Sequence, residues 1–208
     1  MEWLQYISPI ITSIGVIITA WFTYNQKSKD KLTDLKIEKY KRDMERESKR
    51  RSDNSSLVWN ELYNILHDTG ADRVYIIQPH PLGHEEKLSI YFEVKKRAIA
   101  PMRPHIQHLP ISEVVKFNDM LVRNLFLYIT DVDRQVEDKY AKSILSSYGC
   151  KAAIIKRLSD SRHDRNGSIV CEFIDDMEIS SDDAQRILHQ AATNIQYILP
   201  PIIEGDEA

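Results

Sequence analysis

Apolar positions follow two regimes along the chain. From Trp3 to Tyr24, WLQYISPIITSIGVIITAWFTY, they are nearly continuous, and no charge falls between Glu2 and Lys27. At about 1.5 Å of rise per residue, roughly 20 helical residues cross a hydrocarbon layer about 30 Å thick, so this run predicts a single transmembrane helix. Trp3 and Tyr6 at one end, and Trp21, Phe22 and Tyr24 at the other, suit the two headgroup layers. A secretory leader would open on a basic region, whereas only Glu2 precedes this run, and Ile18-Thr19-Ala20 makes a poor cleavage site.

Beyond residue 56 the apolar positions become periodic. Asp53-Asn54-Ser55-Ser56 is a helix start, and Leu57, Val58, Trp59, Leu62, Tyr63, Ile65 and Leu66 then recur at helical spacing up to Gly70. Residues 72–78 and 88–94 read as strands joined by the PLGHEEK connection. Pro101, Pro104 and Pro110 interrupt the next stretch, after which Ser112 is expected to cap a helix reaching Arg123, with Val114, Val115, Phe117 and Leu121 inward. Residues 125–129 form a short strand, and one helix is expected from about Arg134 to Ser147, closed by Gly149. Residues 151–158 and 168–174 are two further strands, with Asn166-Gly167 as turn signal. Ser180 or Ser181 caps a last helix that runs through Ile198 to Pro200-Pro201, with Asp182 and Asp183 in its first turn. The domain plan is therefore an anchor over 1–26, a charged juxtamembrane helix over 27–56 and a soluble α+β domain over 57–208.

Charge sharpens this plan. Residues 1–56 carry 11 Lys and Arg against 8 Asp and Glu, and the remainder carries 17 against 23. Lys27, Lys29, Lys31 and Lys36 crowd one flank of the apolar run, so the positive-inside rule places the soluble domain in the cytoplasm as part of a single-pass membrane protein. The basic segment then faces anionic lipid headgroups, and the acidic domain is a poor match for nucleic acid. Ile37, Tyr40 and Met44, with Leu32 and Leu35, make an apolar seam too short for an established coiled coil. The segment reads as a solvated spacer, with self-association through that seam as the alternative. Cys150 and Cys171 are isolated, as in a reducing compartment.

Candidate chemistry is sparse. His80 with His84, and His105 with His108, offer pairs of donors where a metal needs three or four, so no metal site is assigned. Asp131 and Asp133 follow a strand and read more simply as turn caps than as a cation site. With six glycines, no Gly-x-Ser-x-Gly elbow and no phosphate loop, nothing argues for an enzyme.

The order helix, strand, strand, helix, strand, helix, strand, strand, helix resembles the GAF domain, an antiparallel sheet flanked by helices. Gly70 to Ile76 looks like its first strand, Tyr148 to Ile155 like its strand after a helix ending in glycine, and Asn166 to Cys171 like its turn into the last strand. The resemblance covers about residues 56–200 and implies a small ligand, such as a cyclic nucleotide or bilin, on one face of the sheet under loops. Tyr75, Gln78, Tyr91 and Arg103 are the residues that would line such a pocket. No cyclic-nucleotide signature or chromophore-attaching cysteine context is matched, so no cofactor is assigned. The implied function is that of a membrane-tethered, non-enzymatic sensory or protein-interaction domain. The layout is also similar to phage-encoded lysis proteins, holin or spanin-like, with Ser8, Thr12 and Gly15 on one face of the span where helices could approach.

Overall fold

A β-branched and aromatic run such as VYII can be apolar on every position only if both of its faces are covered, and that is how it is used. The computed structural model describes residues 53–80, 86–159 and 166–199, with residues 38, 39, 42 and 49 besides. Among them six strands form one antiparallel sheet: β1 (Arg73–His80), β2 (Lys87–Lys95), β3 (Leu109–Pro110), β4 (Phe126–Ile129), β5 (Ala152–Arg157) and β6 (Ser168–Phe173). Their order is β3-β2-β1-β6-β5-β4, and every residue of β1, β6 and β5 is buried. Five helices accompany the sheet: α1 over residues 53–69, α2 (Val115–Arg123), α3 (Val132–Gln135), α4 (Lys139–Ser147) and α5 (Ser181–Ile198).

Strand alternation divides the core in two. On one face Val74, Ile76, Phe92, Ile154 and Cys171 meet Val58, Leu62 and Ile65 of α1 and Leu188, Ala191 and Ile195 of α5. Trp59 stands edge-on to Phe92 with ring centroids 5.6 Å apart. On the other face Tyr75, Ile77, Ile90, Ile155 and Val170 lie under α2, α4 and the connection from β2 to β3. This second, loop-covered face is where the GAF resemblance expects a ligand.

Local signals account for much of this. The Ser180 hydroxyl accepts the Asp183 amide at 3.2 Å and so caps α5, with Asp182 and Asp183 at the positive end of the helix. Gly149, at φ 76°, supplies the left-handed residue that ends α4. Gly167 is required for a different reason: a Cβ there would lie 2.6 Å from the Ile77 carbonyl, so only glycine lets the start of β6 close on β1.

Three expectations are corrected. Ser112 does not cap a helix over 112–123: Ile111–Glu113 is a single 3₁₀ turn and α2 begins at Val115. The expected helix over 134–147 is two helices, because Val136 is extended at φ −89° and ψ 109° between α3 and α4. Asp138 explains both departures. One carboxylate oxygen accepts the Tyr140 and Ala141 amides at 3.1 Å, starting α4; the other accepts Lys116 and Phe117 at 3.1 and 3.2 Å, starting α2. Finally, Leu109–Pro110 pairs with Leu88 and Lys87 as β3, an edge strand where proline sacrifices no ladder bond.

The chain divides into two units, 1–50 and 51–208. In the first, residues 38, 39, 42 and 49 are helical and exposed, and Arg42 pairs with Glu38 one turn away. The expected span over residues 3–24, its Ser8, Thr12 and Gly15 face, its lipid contacts and the apolar seam lie outside the described residues. Among the described residues no helix is long and apolar enough to cross a membrane.

Candidate functional site

The loop-covered face is filled by the chain itself. Tyr75, Ile77, Ile106, Leu109, Phe117 and Leu145 enclose a cavity of about 10 Å³. Roughly 10–15 Å³ is the least that accepts one water molecule, so the space admits at most that. Among the described residues, the cavity these side chains enclose holds no ligand of bilin or nucleotide size.

A buried ionic centre lies on the same face. Arg73 of β1 and Glu172 of β6 stand directly opposite each other in the antiparallel register, and both side chains are fully buried. Arg73 Nε donates to Glu172 Oε2 at 2.9 Å, a second guanidinium nitrogen donates to the same oxygen, and the Tyr75 hydroxyl donates to Oε1. The guanidinium also donates to the carbonyls of Ala100 and Tyr148 and lies 5.7 Å from the centre of the Tyr148 ring, which stacks on His105 at 4.7 Å. Four segments are thus tied to one charge pair: β1, β6, the chain after β2 and the α4–β5 corner. Burial pushes the Glu172 carboxyl upward, while Arg73 and the phenol pull it back. Burial and the neighbouring carboxylate together hold the Tyr75 phenol well above its ordinary range. Burial works against the Arg73 cation, but Glu172 together with Tyr75 and Glu93 outweighs it and raises its proton affinity. Arg73 and the Tyr75 hydroxyl both donate to the carboxylate, so the centre is built for the ion pair.

The neighbouring carboxylates organise backbone. Glu93 on β2 accepts the Met102 and Arg103 amides at 2.6 and 2.9 Å. Asp72 accepts from Lys96 Nζ at 2.7 Å and from the Ile174 amide at 2.8 Å. Burial alone would raise the Asp72 carboxyl, but the Lys96 ammonium and the Ile174 and Asp175 amides hold it below the ordinary carboxylate range.

The four candidate pocket residues do not converge. Tyr75 is on the loop-covered face, bound to Glu172 and lining the small cavity. Gln78 falls on the opposite face by strand alternation and is buried. The β1–β2 register shifts between Ile76 and Ile77, leaving Tyr91 as the extra residue of a bulge, packed with the α1 and α5 side of the core. Arg103 is brought to Tyr91, its guanidinium 5.6 Å from the ring centre. Arg73, Glu172 and Glu93 were not singled out from the sequence. The available signal was a charged residue near the end of an otherwise apolar strand, DRVYII and IVCEFI.

The remaining chemistry is quiet. His80 is buried with Nε2 2.9 Å from Ser89 Oγ and its ring edge-on to His108, and among the described residues no group of three or more metal-ligating side chains occurs. Burial pushes both the Cys150 and Cys171 thiols far up, which leaves them poor nucleophiles. A cleft of about 670 Å³ beside β4 and β5 is lined by Thr130, Asp131, Asp133, Lys151, Asp175 and Asp176. Asp131 caps α3 through the Arg134 amide at 3.1 Å, the local capping expected of it, whereas Asp133 accepts the Ser146 hydroxyl of α4 at 2.9 Å.

No family model matches the chain, and neither does any curated protein. Solved structures do. A GAF domain from Synechocystis sp. in its photoproduct state shares 12% identity, with a TM-score of 0.56 over 69% of this chain and 90% of that one. The PixJ GAF domain of Thermosynechococcus elongatus in its blue-light absorbing form shares 10%, with a TM-score of 0.57 over 73% of this chain and 87% of its own. A far-red cyanobacteriochrome photoreceptor shares 14%, with a TM-score of 0.55 over 79% and 95%. Identities of this size speak for fold, and the fold they share with the 53–199 region is the GAF-like α+β arrangement expected from its element order.

Proposed function

We propose that this chain is a membrane-tethered, non-enzymatic GAF-like domain that acts in sensing or protein interaction without a resident small ligand. The observation that carries the proposal is how closely the described residues pack this face: on a frame shared with photoreceptor domains, the cavity lined by Tyr75, Ile106 and Phe117 is about 10 Å³, and the neighbouring polar centre is satisfied by Arg73, Glu172 and Tyr75. With that face occupied from within, the input is a contact made at the surface of the domain. In this reading the tether is the Trp3–Tyr24 run, and the basic flank supports a cytoplasmic orientation with anionic headgroups beside that flank.

Two measurements test this reading. With a tag at Ala208, the domain is expected to resist protease in spheroplasts and to be cut in inverted vesicles; the reverse pattern refutes the cytoplasmic tether. Photocrosslinkers placed at the exposed Tyr63 and Tyr197, in membranes, are expected to trap a defined protein species. If only uncrosslinked chain is recovered at saturating expression of the host proteome, the interaction role fails.

A further inference from the structure

We infer that residues 97–105 form an occluding strap that opens as a unit while the sheet beneath stays folded. The strap leaves β2 and crosses the loop-covered face before the chain returns as β3. Met102 is its one buried side chain, and the others are half-buried or exposed. Its backbone is tied to the sheet through two residues, while Arg103 lies against Tyr91, His105 against Tyr148, and Gln107 donates to the Arg103 carbonyl. The Glu93 carboxylate accepts the amides of Met102 and Arg103, and Arg73 donates to the Ala100 carbonyl.

Both ends of the strap are fixed independently of those two residues. At one end the Lys96 amide donates to the Asp72 carbonyl at 2.9 Å, and its ammonium reaches the Asp72 carboxylate. At the other, the Ile90 amide donates to the Ile106 carbonyl at 2.9 Å, Gln107 Nε2 donates to the Ile90 carbonyl at 2.6 Å, and the His108 amide donates to Ser89 Oγ at 2.8 Å. Hinges therefore fall near Lys96 and Ile106. Pro101 and Pro104 fix φ at two points between them, so the segment moves as a stiff piece. A segment with few buried apolar contacts opens at much lower free energy than the strands it covers. Opening withdraws the Ala100 carbonyl from Arg73 and Met102 from the core, so the dry Arg73–Glu172 pair meets solvent. The closed strap is thus a self-made plug over the polar centre of the domain, and its release is a second state that the fold already contains.

Native-state hydrogen exchange on the full chain in detergent micelles tests the strap. The probes are the Met102 and Arg103 amides, each hydrogen-bonded to the Glu93 carboxylate when the strap is closed. They are expected to exchange about 100-fold or more faster than the amides of β1 and β6. Glu93→Ala is expected to accelerate them about a further 10-fold, leaving β1 and β6 unchanged. A common rate for strap and sheet in the unaltered chain overturns the inference whether or not the variant folds. So does a Glu93→Ala effect spread evenly over strap and sheet.

Discussion

Replacing Glu172 by Met tests the buried centre most severely. The substitution removes the carboxylate that accepts from two guanidinium nitrogens and the Tyr75 hydroxyl, in a place with no exposure to water. Stranding one member of a buried pair costs about 3–5 kcal/mol, and an orphaned buried hydroxyl adds about 1–3 kcal/mol. Arg73 keeps the Ala100 and Tyr148 carbonyls, which offset part of this, so the expected loss is about 4 kcal/mol. Against a total of about 5–15 kcal/mol for a domain, that is a large fraction. Replacing Arg73 and Glu172 by Met and Tyr75 by Phe together removes the charges and the hydroxyl at once, and is expected to recover most of the loss, since apolar substitutes for a whole buried ion pair are often neutral. Urea unfolding reads the effect. Trp3 and Trp21 changed to Phe leave Trp59 as the single tryptophan, packed on Phe92 and sensitive to the core. A Glu172→Met cost below about 1 kcal/mol, or a triple variant worse than the single, would refute the reasoning, because water or another group would then have to be compensating the pair.

Asp138→Ala removes the acceptor for four amides at the starts of α2 and α4, and is expected to cost about 2–4 kcal/mol in urea unfolding, with Asp138→Asn intermediate. Asp72 gives a pH signature. Its folded carboxyl is held below the ordinary range, so its contribution is fully present above the unfolded value near 3.8 and is lost as pH falls through the lower, folded value. The urea midpoint of the unaltered domain should therefore drop more steeply below about pH 4 than that of Asp72→Asn, and parallel pH profiles would contradict the assignment.

Features whose causes lie within one turn or strand of themselves were legible in the sequence. Ser180, Gly149 and the apolar runs of β1, β5 and β6 act on neighbours in the chain, so composition and spacing reveal them. Features set across the fold were not. Asp138 splits one apparent helix into two because it also serves amides more than twenty positions away, at Lys116 and Phe117. Arg73 and Glu172 are 99 positions apart, and each alone resembles a strand residue turned to solvent. Tyr91 left the expected pocket through a one-residue bulge, which shifts a side chain without disturbing the strand pattern. Leu109–Pro110 is too short, and too proline-marked, to read as a strand without its partner Leu88.

The account turns on a loop-covered face that is filled from within. Native mass spectrometry of the full chain released gently from micelles tests this most directly, paired with extraction of the denatured protein. The expected species is the bare polypeptide, alone or as copies of itself. A stoichiometric small molecule carried by the folded chain and freed on denaturation would contradict it, and would require Met102, Ile106 and the strap to stand open around that ligand.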